Sequence, residues 1–192
     1  MKLRLGHNFY GLAAITSSII ILIWLQVKPL GNITHPVILV YFVALIELSG
    51  GLAIQWQKTM KLGVVILAAV FFVYTLYLVP PIFGSPLDYS NWGNFFEELS
   101  IALGSLFVFA LTMKNNPKTA AKVAGIAYVC YGICVISYSL YQLFYLTYTA
   151  NLVPKWIPLD QMFWAVTTTI AFALAAIAIL SGRGLLFLLP DC

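Results

Sequence analysis

Charged residues are scarce in this chain. Only 8% of its 192 residues are Asp, Glu, Lys or Arg, whereas 62% are hydrophobic. Soluble domains carry about 25% charged residues, and a globular fold of this length has too much surface for its volume to bury so many apolar side chains. The composition therefore excludes a soluble globular domain and predicts a protein whose outer faces contact lipid.

Potential metal ligands and reactive thiols are also few. Cys130 and Cys134 are four residues apart, which places both on one helix face and suits packing better than the Cys-x-x-Cys spacing of a redox pair. His7 and His35 have no ligand partner nearby in the sequence. No metal site is predicted, and no phosphate-binding glycine loop or hydrolase motif supports a nucleotide-driven pump or a hydrolase.

Six apolar segments are long enough to cross a bilayer, which takes about 20 helical residues. The first follows a basic N-terminus as a signal peptide would, but it is too long for a signal core and no cleavage site follows it, so it is interpreted as a retained helix. The sequence predicts an all-α polytopic bundle, with a first half at 1–113 and a second half at 114–192 that ends in a short apolar stub. The predicted spans are Phe9–Val27, Val37–Trp56, Leu62–Val79, Phe95–Met113, Val123–Tyr145 and Met162–Leu180.

The basic residues predict the orientation of these helices. Lys and Arg concentrate in cytoplasmic loops, and a cytoplasmic N-terminus places 8 of the 10 there. Topology therefore explains the net charge of +4 without a nucleic-acid partner, and the expected partner is the lipid bilayer. The eight are Lys2, Arg4, Lys58, Lys61, Lys114, Lys118, Lys122 and Arg183.

Glu47 lies near the centre of the second predicted helix. An ionisable group at that depth costs at least about 2.5–3.5 kcal/mol in hydrocarbon, so it should face protein or a wet cavity. Gly50 and Gly51 share its helix face and allow another helix to approach closely. Two interpretations stay open: a proton-handling or ligand-binding carboxyl, and a protonated donor in an interhelical hydrogen bond.

Glu97 and Glu98 are placed by this segmentation in the first turn of the fourth predicted helix. There they would interact favourably with the positive end of the helix dipole. The alternative is an acidic mouth, formed together with Asp88 and Asp160, that attracts cations or protons.

The fifth predicted helix carries tyrosines, including Tyr131 and Tyr138, at roughly helical spacing, and small residues, including Gly132, on an adjoining face. One interpretation is a site for a flat amphiphilic ring such as a quinone, with Tyr or Glu supplying protons. The other is helix packing, since small residues suit close contacts and buried tyrosine hydroxyls need partners.

Two stretches resemble the DoxX-like family of bacterial membrane proteins. They are Glu47-Leu48-Ser49-Gly50-Gly51 in the second helix, and Val153-Pro154-Lys155-Trp156-Ile157-Pro158 with Phe163-Trp164-Ala165 opening the last helix. The regions that contain these two stretches also align weakly with each other after a shift of 125 residues. This alignment suggests a parallel repeat, in which both copies have the same orientation in the membrane. The resemblance implies a four-helix unit, here with a truncated second unit, in the bacterial inner membrane.

The family includes a subunit of a thiosulfate:quinone oxidoreductase, so the resemblance implies a quinone ligand and a partner redox subunit. Phe172 stands where the second unit would carry the counterpart of Glu47. Three functions are compatible with the sequence: a membrane subunit linked to quinone or respiratory redox chemistry, a small-solute or ion permeation protein, and a non-catalytic assembly or scaffold subunit.

Overall fold

The computed structural model describes residues 3–27 and 37–182. These residues form eight α-helices and no strand, and six of the helices are long and apolar enough to cross a membrane. The predicted all-α polytopic bundle is confirmed. The helices are α1 (Leu3–Trp24), α2 (Val37–Ile54), α3 (Met60–Tyr77), α4 (Val79–Gly84), α5 (Tyr89–Thr112), α6 (Pro117–Phe144), α7 (Leu146–Leu152) and α8 (Gln161–Leu180).

Some predictions fall outside the described residues. The apolar C-terminal stub lies there, as do Lys2 and Arg183, which contribute to the predicted orientation. The division of the chain at residue 113 and the internal repeat stay predictions.

Three spanning helices, α1, α5 and α6, begin six residues earlier than predicted, and capping side chains account for the starts of α5 and α6. The Asp88 carboxylate accepts a hydrogen bond from the backbone N–H of Ser90 (3.0 Å) and caps α5, which begins six residues before Phe95. Likewise the Asn116 side chain accepts from the N–H of Thr119 (3.2 Å) and caps α6. Hydropathy finds the apolar part of a helix, whereas these capping side chains set where the backbone starts to coil.

The helices pack mainly against their neighbours in the chain. α1 contacts α2, α2 contacts α3, and α3 contacts α5, while α1 and α5 touch along only a short stretch. These four helices form a bundle with an incompletely closed seam between α1 and α5. α6 packs on the other side of α5, and α8 packs on α6.

The buried core lies mainly inside the four-helix bundle. Val64, Leu67 and Phe71 of α3 pack there with Ala44 of α2 and Ala102 of α5. Large apolar side chains elsewhere are exposed on the outer helix faces. This distribution is typical of a bundle whose surrounding solvent is lipid.

Candidate functional site

Glu47 faces the interior of the four-helix bundle. It lies ten residues after Val37, roughly 15 Å along α2 at 1.5 Å per residue, and it is 0% exposed. It shares the buried face of α2 with Ala44, Gly50 and Gly51. The packing of α1 and α3 against α2 places the carboxyl among protein side chains at mid-depth.

The surroundings of the Glu47 carboxyl offer it few polar contacts among the described residues. Neither oxygen has a partner among the described residues, although the hydroxyl of Ser17 on α1 lies close enough to interact with it. An unpartnered charge at this depth would cost at least about 2.5–3.5 kcal/mol. The physical expectation is a neutral carboxylic acid with a proton available for donation.

A lateral cleft lies beside this carboxyl, along the seam between α1 and α5. Its wide part has a volume of about 710 Å³ and its narrow part about 360 Å³, and both are lined by Ser17, Phe71 and Ile101. Ile101 and several lining residues of α1 are exposed on the outer surface, so the cleft opens toward lipid. The remaining apolar lining of the wide part is Ala13, Ile20, Ile21, Trp24 and Val27.

Tyr74 of α3 lines the wide part of the cleft and is 6% exposed. Its hydroxyl has no hydrogen-bond partner among the described residues. Its ring packs edge-on against Phe71, with centroids 6.1 Å apart. The hydroxyl lies within electrostatic range of both Glu47 and Glu98.

Glu97 and Glu98 also line the wide part, and Glu98 is only 7% exposed. Their predicted position in a first helical turn is wrong, because α5 begins at Tyr89 and its first turn contains no acidic residue. Glu98 lies nine residues into α5, about 14 Å from its start. Both carboxylates therefore lie within the membrane-spanning helix, too far from its N-terminus for a first-turn dipole interaction.

Of the four residues in the predicted acidic mouth, only Glu97 and Glu98 line the cleft. Asp88 caps α5, and Asp160 caps α8 by accepting from the N–H of Met162 (3.2 Å). Neither is among the residues that line the cleft. Hydrogen bonds from Ser90, and then from Tyr145, lower the pKa of the exposed Asp88 carboxyl below its ordinary value.

The narrow part of the cleft ends at Tyr10 of α1. The Tyr10 hydroxyl donates to the carbonyl of Ile101 (2.9 Å) and lies 2.8 Å from the hydroxyl of Ser105, which ties α1 to α5. Gly104 and Tyr131 complete this end. The seam is therefore bridged on the side of the bundle that carries the amino terminus.

Glycines close the same end between the other helices. A Cβ at Gly51 would lie 2.9 Å from the carbonyl oxygen of Gly11, and one at Gly63 would lie 2.6 Å from that of Gly50. Such contacts require backbone-to-backbone packing of α1 on α2 and of α2 on α3. Gly11 and Gly63 were not predicted, because a small pair in one helix does not identify the residues opposite it.

The predicted tyrosine stripe of α6 divides between two surroundings. Tyr131 reaches the narrow part of the cleft. Tyr138 instead donates a hydrogen bond to Ser100 in the α5–α6 interface, and its ring packs edge-on against Phe172 of α8. A Cβ at Gly132 would lie 2.6 Å from Leu180, which places this glycine at the contact between α6 and α8.

The structure thus assembles a site that the sequence predicts only in part. Glu97, Glu98 and Tyr131 line the cleft and Glu47 lies within reach of its Ser17, whereas Tyr10, Ser17 and Tyr74 join them from α1 and α3, which carry no acidic residue to mark them. The described part of the chain holds no group of three or more His, Cys, Asp or Glu side chains placed to bind a metal ion.

Comparison of the chain with protein-family models, curated proteins and solved structures finds no match. The DoxX-like resemblance therefore stays a prediction, and the arguments below depend on the geometry of the cleft.

Proposed function

We propose that the cleft between α1 and α5 binds a lipid-soluble quinone, and that the protein is the membrane subunit of a quinone-linked redox system. The observation that carries the proposal is the combination of a largely apolar, lipid-facing cleft with a fully buried carboxyl that lies within reach of Ser17 in its wall and has no hydrogen-bond partner placed for it among the described residues. The partner implied is a redox subunit that holds the electron-transferring cofactor.

The size and lining of the cleft suit such a ligand. Small-molecule sites have volumes of about 300–1,000 Å³, are mostly apolar, and place a few polar groups to orient the ligand. Phe71 and Tyr74 offer aromatic surfaces to a flat ring, and the hydroxyls of Ser17 and Tyr74 lie in the wall beside it. The open seam gives a long apolar tail a route into the surrounding lipid.

The polar groups suit the chemistry of quinone reduction. A quinone takes up two electrons and two protons to become a quinol, and here the electrons come from the cofactor of the partner subunit. The Tyr74 hydroxyl donates a hydrogen bond to a quinone carbonyl oxygen, and the Glu47 carboxylic acid holds a proton one side-chain layer behind it. Positioned donors of this kind contribute typically 10²–10⁴-fold to rates of proton transfer.

A permeation pathway has less support. Ions or solutes need a polar route from one face of the membrane to the other, whereas Tyr10, Gly11 and Gly51 close the amino-terminal half of the bundle. A purely structural role gives no account of the unpartnered Glu47 carboxyl, which costs free energy in a scaffold.

The proposed setting is a bacterial inner membrane with the N-terminus in the cytoplasm. The clustering of Lys58, Lys61, Lys114, Lys118 and Lys122 on one side of the helices supports this orientation. A reporter that works only in the cytoplasm should be active when it is fused into the α5–α6 connection. Activity of a periplasm-specific reporter at the same position would reverse the proposed orientation.

Ligand binding tests the proposal. Purified protein in nanodiscs should bind a short-chain ubiquinone analogue. Tyr74→Phe removes the hydroxyl that donates to the ligand and should weaken binding about tenfold, equivalent to one lost hydrogen bond of about 1.4 kcal/mol, whereas Glu47→Gln, behind that hydroxyl, should weaken it less. Tyr77→Phe, at an exposed position of the same helix, should bind like the unchanged protein. Equal binding by all four proteins, or no binding by the unchanged protein, would contradict the proposal.

A further inference from the structure

We infer that the Glu47 carboxyl exchanges protons with one face of the membrane only, the face opposite the amino terminus, along a route through Tyr74 and Glu98. The use made of these protons rests on the proposed function, whereas the route is a property of the described side chains alone. It assigns Tyr74 and Glu98 as proton-relay residues.

The packing of the bundle makes the two directions from Glu47 unequal. Toward the amino-terminal face, Gly51 lies against the backbone of Gly11, and Gly63 lies against that of Gly50. The Tyr10 hydroxyl bridges α1 to α5 at the same end. Backbone contacts this close leave no space for a water chain between α1 and α2 or between α2 and α3, and the narrow part of the cleft ends at the Tyr10 bridge, so that direction is closed to protons.

Toward the opposite face the cleft widens and polar groups continue. The hydroxyl of Tyr74 lies within electrostatic range of both Glu47 and Glu98, and Tyr74 and Glu98 line the same part of the cleft. Glu98 lines the wide part of the cleft, as does Glu97 one residue earlier. The volume of about 710 Å³ far exceeds the roughly 30 Å³ of liquid that one water molecule occupies, so water can bridge gaps between these groups.

Groups from each neighbouring helix face the Glu47 carboxyl. They are Tyr10 and Ser17 from α1 and Tyr74 from α3, and Tyr74 in turn interacts with Glu98 from α5. Tyr10 is held by Ile101 and Ser105, whereas the Tyr74 hydroxyl has no partner among the described residues. Tyr74 is therefore the hydroxyl that is free to rotate between a donor and an acceptor.

Each transfer along this route is balanced. When Glu47 is ionised, Tyr74 passes its phenolic proton to the carboxylate, and it receives a proton from the carboxylic acid of Glu98, either directly or through a water molecule. Glu98 then takes up a proton from the aqueous face. One proton moves inward, so Glu47 ends as the carboxylic acid while Tyr74 and Glu98 return to their starting forms.

The test uses ligand-free protein in oriented proteoliposomes and follows the infrared band of the protonated Glu47 carboxyl, assigned by its loss in Glu47→Gln. A pH jump at the face opposite the amino terminus should change the band quickly, and one at the amino-terminal face should not. Tyr74→Phe and Glu98→Gln should each slow the response by roughly 10²-fold, and Glu98→Asp should restore much of it. Tyr138→Phe and Asp160→Asn are controls that should respond at the normal rate.

The outcomes separate this route from the proposed function. If Tyr74→Phe and Glu98→Gln slow proton exchange but the unchanged protein does not bind the ubiquinone analogue, the proton route is supported and the quinone proposal is contradicted. Unchanged exchange in both Tyr74→Phe and Glu98→Gln, or a faster response from the amino-terminal face, would overturn the route whether or not the quinone binds. Equilibrium titration of the band in each variant shows that it is folded.

Discussion

The four-helix bundle of α1, α2, α3 and α5 differs from the α6–α8 pair in what its interior contains. All three glutamates of the chain lie in α2 and α5. The α6–α8 contact is made instead by neutral groups, such as Gly132 against Leu180 and the Thr169 hydroxyl bonded to Gln142 (3.1 Å). In α8 the buried residues are Ala165 and Ala176.

This difference indicates that the two regions have different roles. Among the described residues, the bundle contains buried polar groups without hydrogen-bond partners, including those of Glu47 and Tyr74, and such groups call for a functional explanation. The α6–α8 pair has ordinary interhelical hydrogen bonds and a largely lipid-facing surface. The two regions can be compared by substitutions that place a carboxyl in the α6–α8 pair, remove one from the bundle, or change the glycine packing of either region.

The largest effect is expected from Phe172→Glu, which moves a carboxyl into the second region. The Phe172 ring packs against Tyr138 with centroids 5.7 Å apart, and the new carboxyl would lose this contact without gaining a cleft. We expect the free energy of unfolding to fall by about 3 kcal/mol, which can be measured as a lower Tm in detergent. Unchanged stability would show that both regions accept a buried acid.

The next effect concerns the closed end of the bundle. In Gly63→Leu, the Cβ would lie 2.6 Å from the Gly50 carbonyl oxygen and 2.8 Å from the Ile54 nitrogen, and these backbone atoms cannot move aside separately. Overpacking of this kind costs about 1–3 kcal/mol, or roughly 2–4 °C in Tm per kcal/mol for a chain of this size.

The matched control for this substitution is Gly125→Leu in α6, where a Cβ has nothing within 4 Å. Leucine also favours a helix over glycine by nearly 1 kcal/mol, so its Tm should stay the same or rise slightly. Equal losses in the two variants would mean that glycine packing does not distinguish the regions.

A stabilising effect is expected from Glu47→Leu. Leucine has a similar size and removes two oxygens that lack partners among the described residues, so the free energy of unfolding should rise by about 1–3 kcal/mol. The same variant should bind the ubiquinone analogue more weakly than the unchanged protein. A destabilised variant would show that the carboxyl is satisfied in the folded protein.

The smallest effect concerns the link between α5 and the α6–α7 junction. The Tyr145 hydroxyl donates to the Asp88 carboxylate (2.9 Å), and the pKa of Asp88 is lowered by Ser90 and Tyr145. A lowered folded-state pKa means that the stabilisation is present above the ordinary value of about 4 and is lost as the pH falls through the folded-state pKa.

Asp88→Asn should therefore remove a small part of the acid-induced fall in Tm below about pH 4. Tm measured against pH for both proteins checks this expectation. Parallel curves would mean that the exposed link contributes nothing.

Hydropathy and the positions of charges predict much of this fold. Apolar runs find the six spanning helices, and the cost of a charge in hydrocarbon correctly turns Glu47 toward protein. The depth of Glu97 and Glu98 could not be predicted, because it depends on the Asp88 cap rather than on the apolar run.

The other half of the site depends on which helices meet. Tyr74 lies in an apolar stretch of α3 and resembles any packing aromatic until α5 brings Glu98 beside it. Tyr131 and Tyr138 look equivalent in sequence, yet only the former reaches the cleft. The two tyrosines are seven residues apart on α6, and tertiary contacts alone decide which of them reaches the cleft.

The incompletely closed seam between α1 and α5 determines from where a ligand arrives. A molecule that enters through this seam comes from the bilayer. Each methylene of its tail has already contributed about 0.8 kcal/mol of free energy to its partitioning from water into lipid. The protein need supply only the remaining preference for the headgroup. Occupancy will therefore follow the mole fraction of ligand in the lipid rather than its aqueous concentration, and adding empty lipid at constant total ligand should release it.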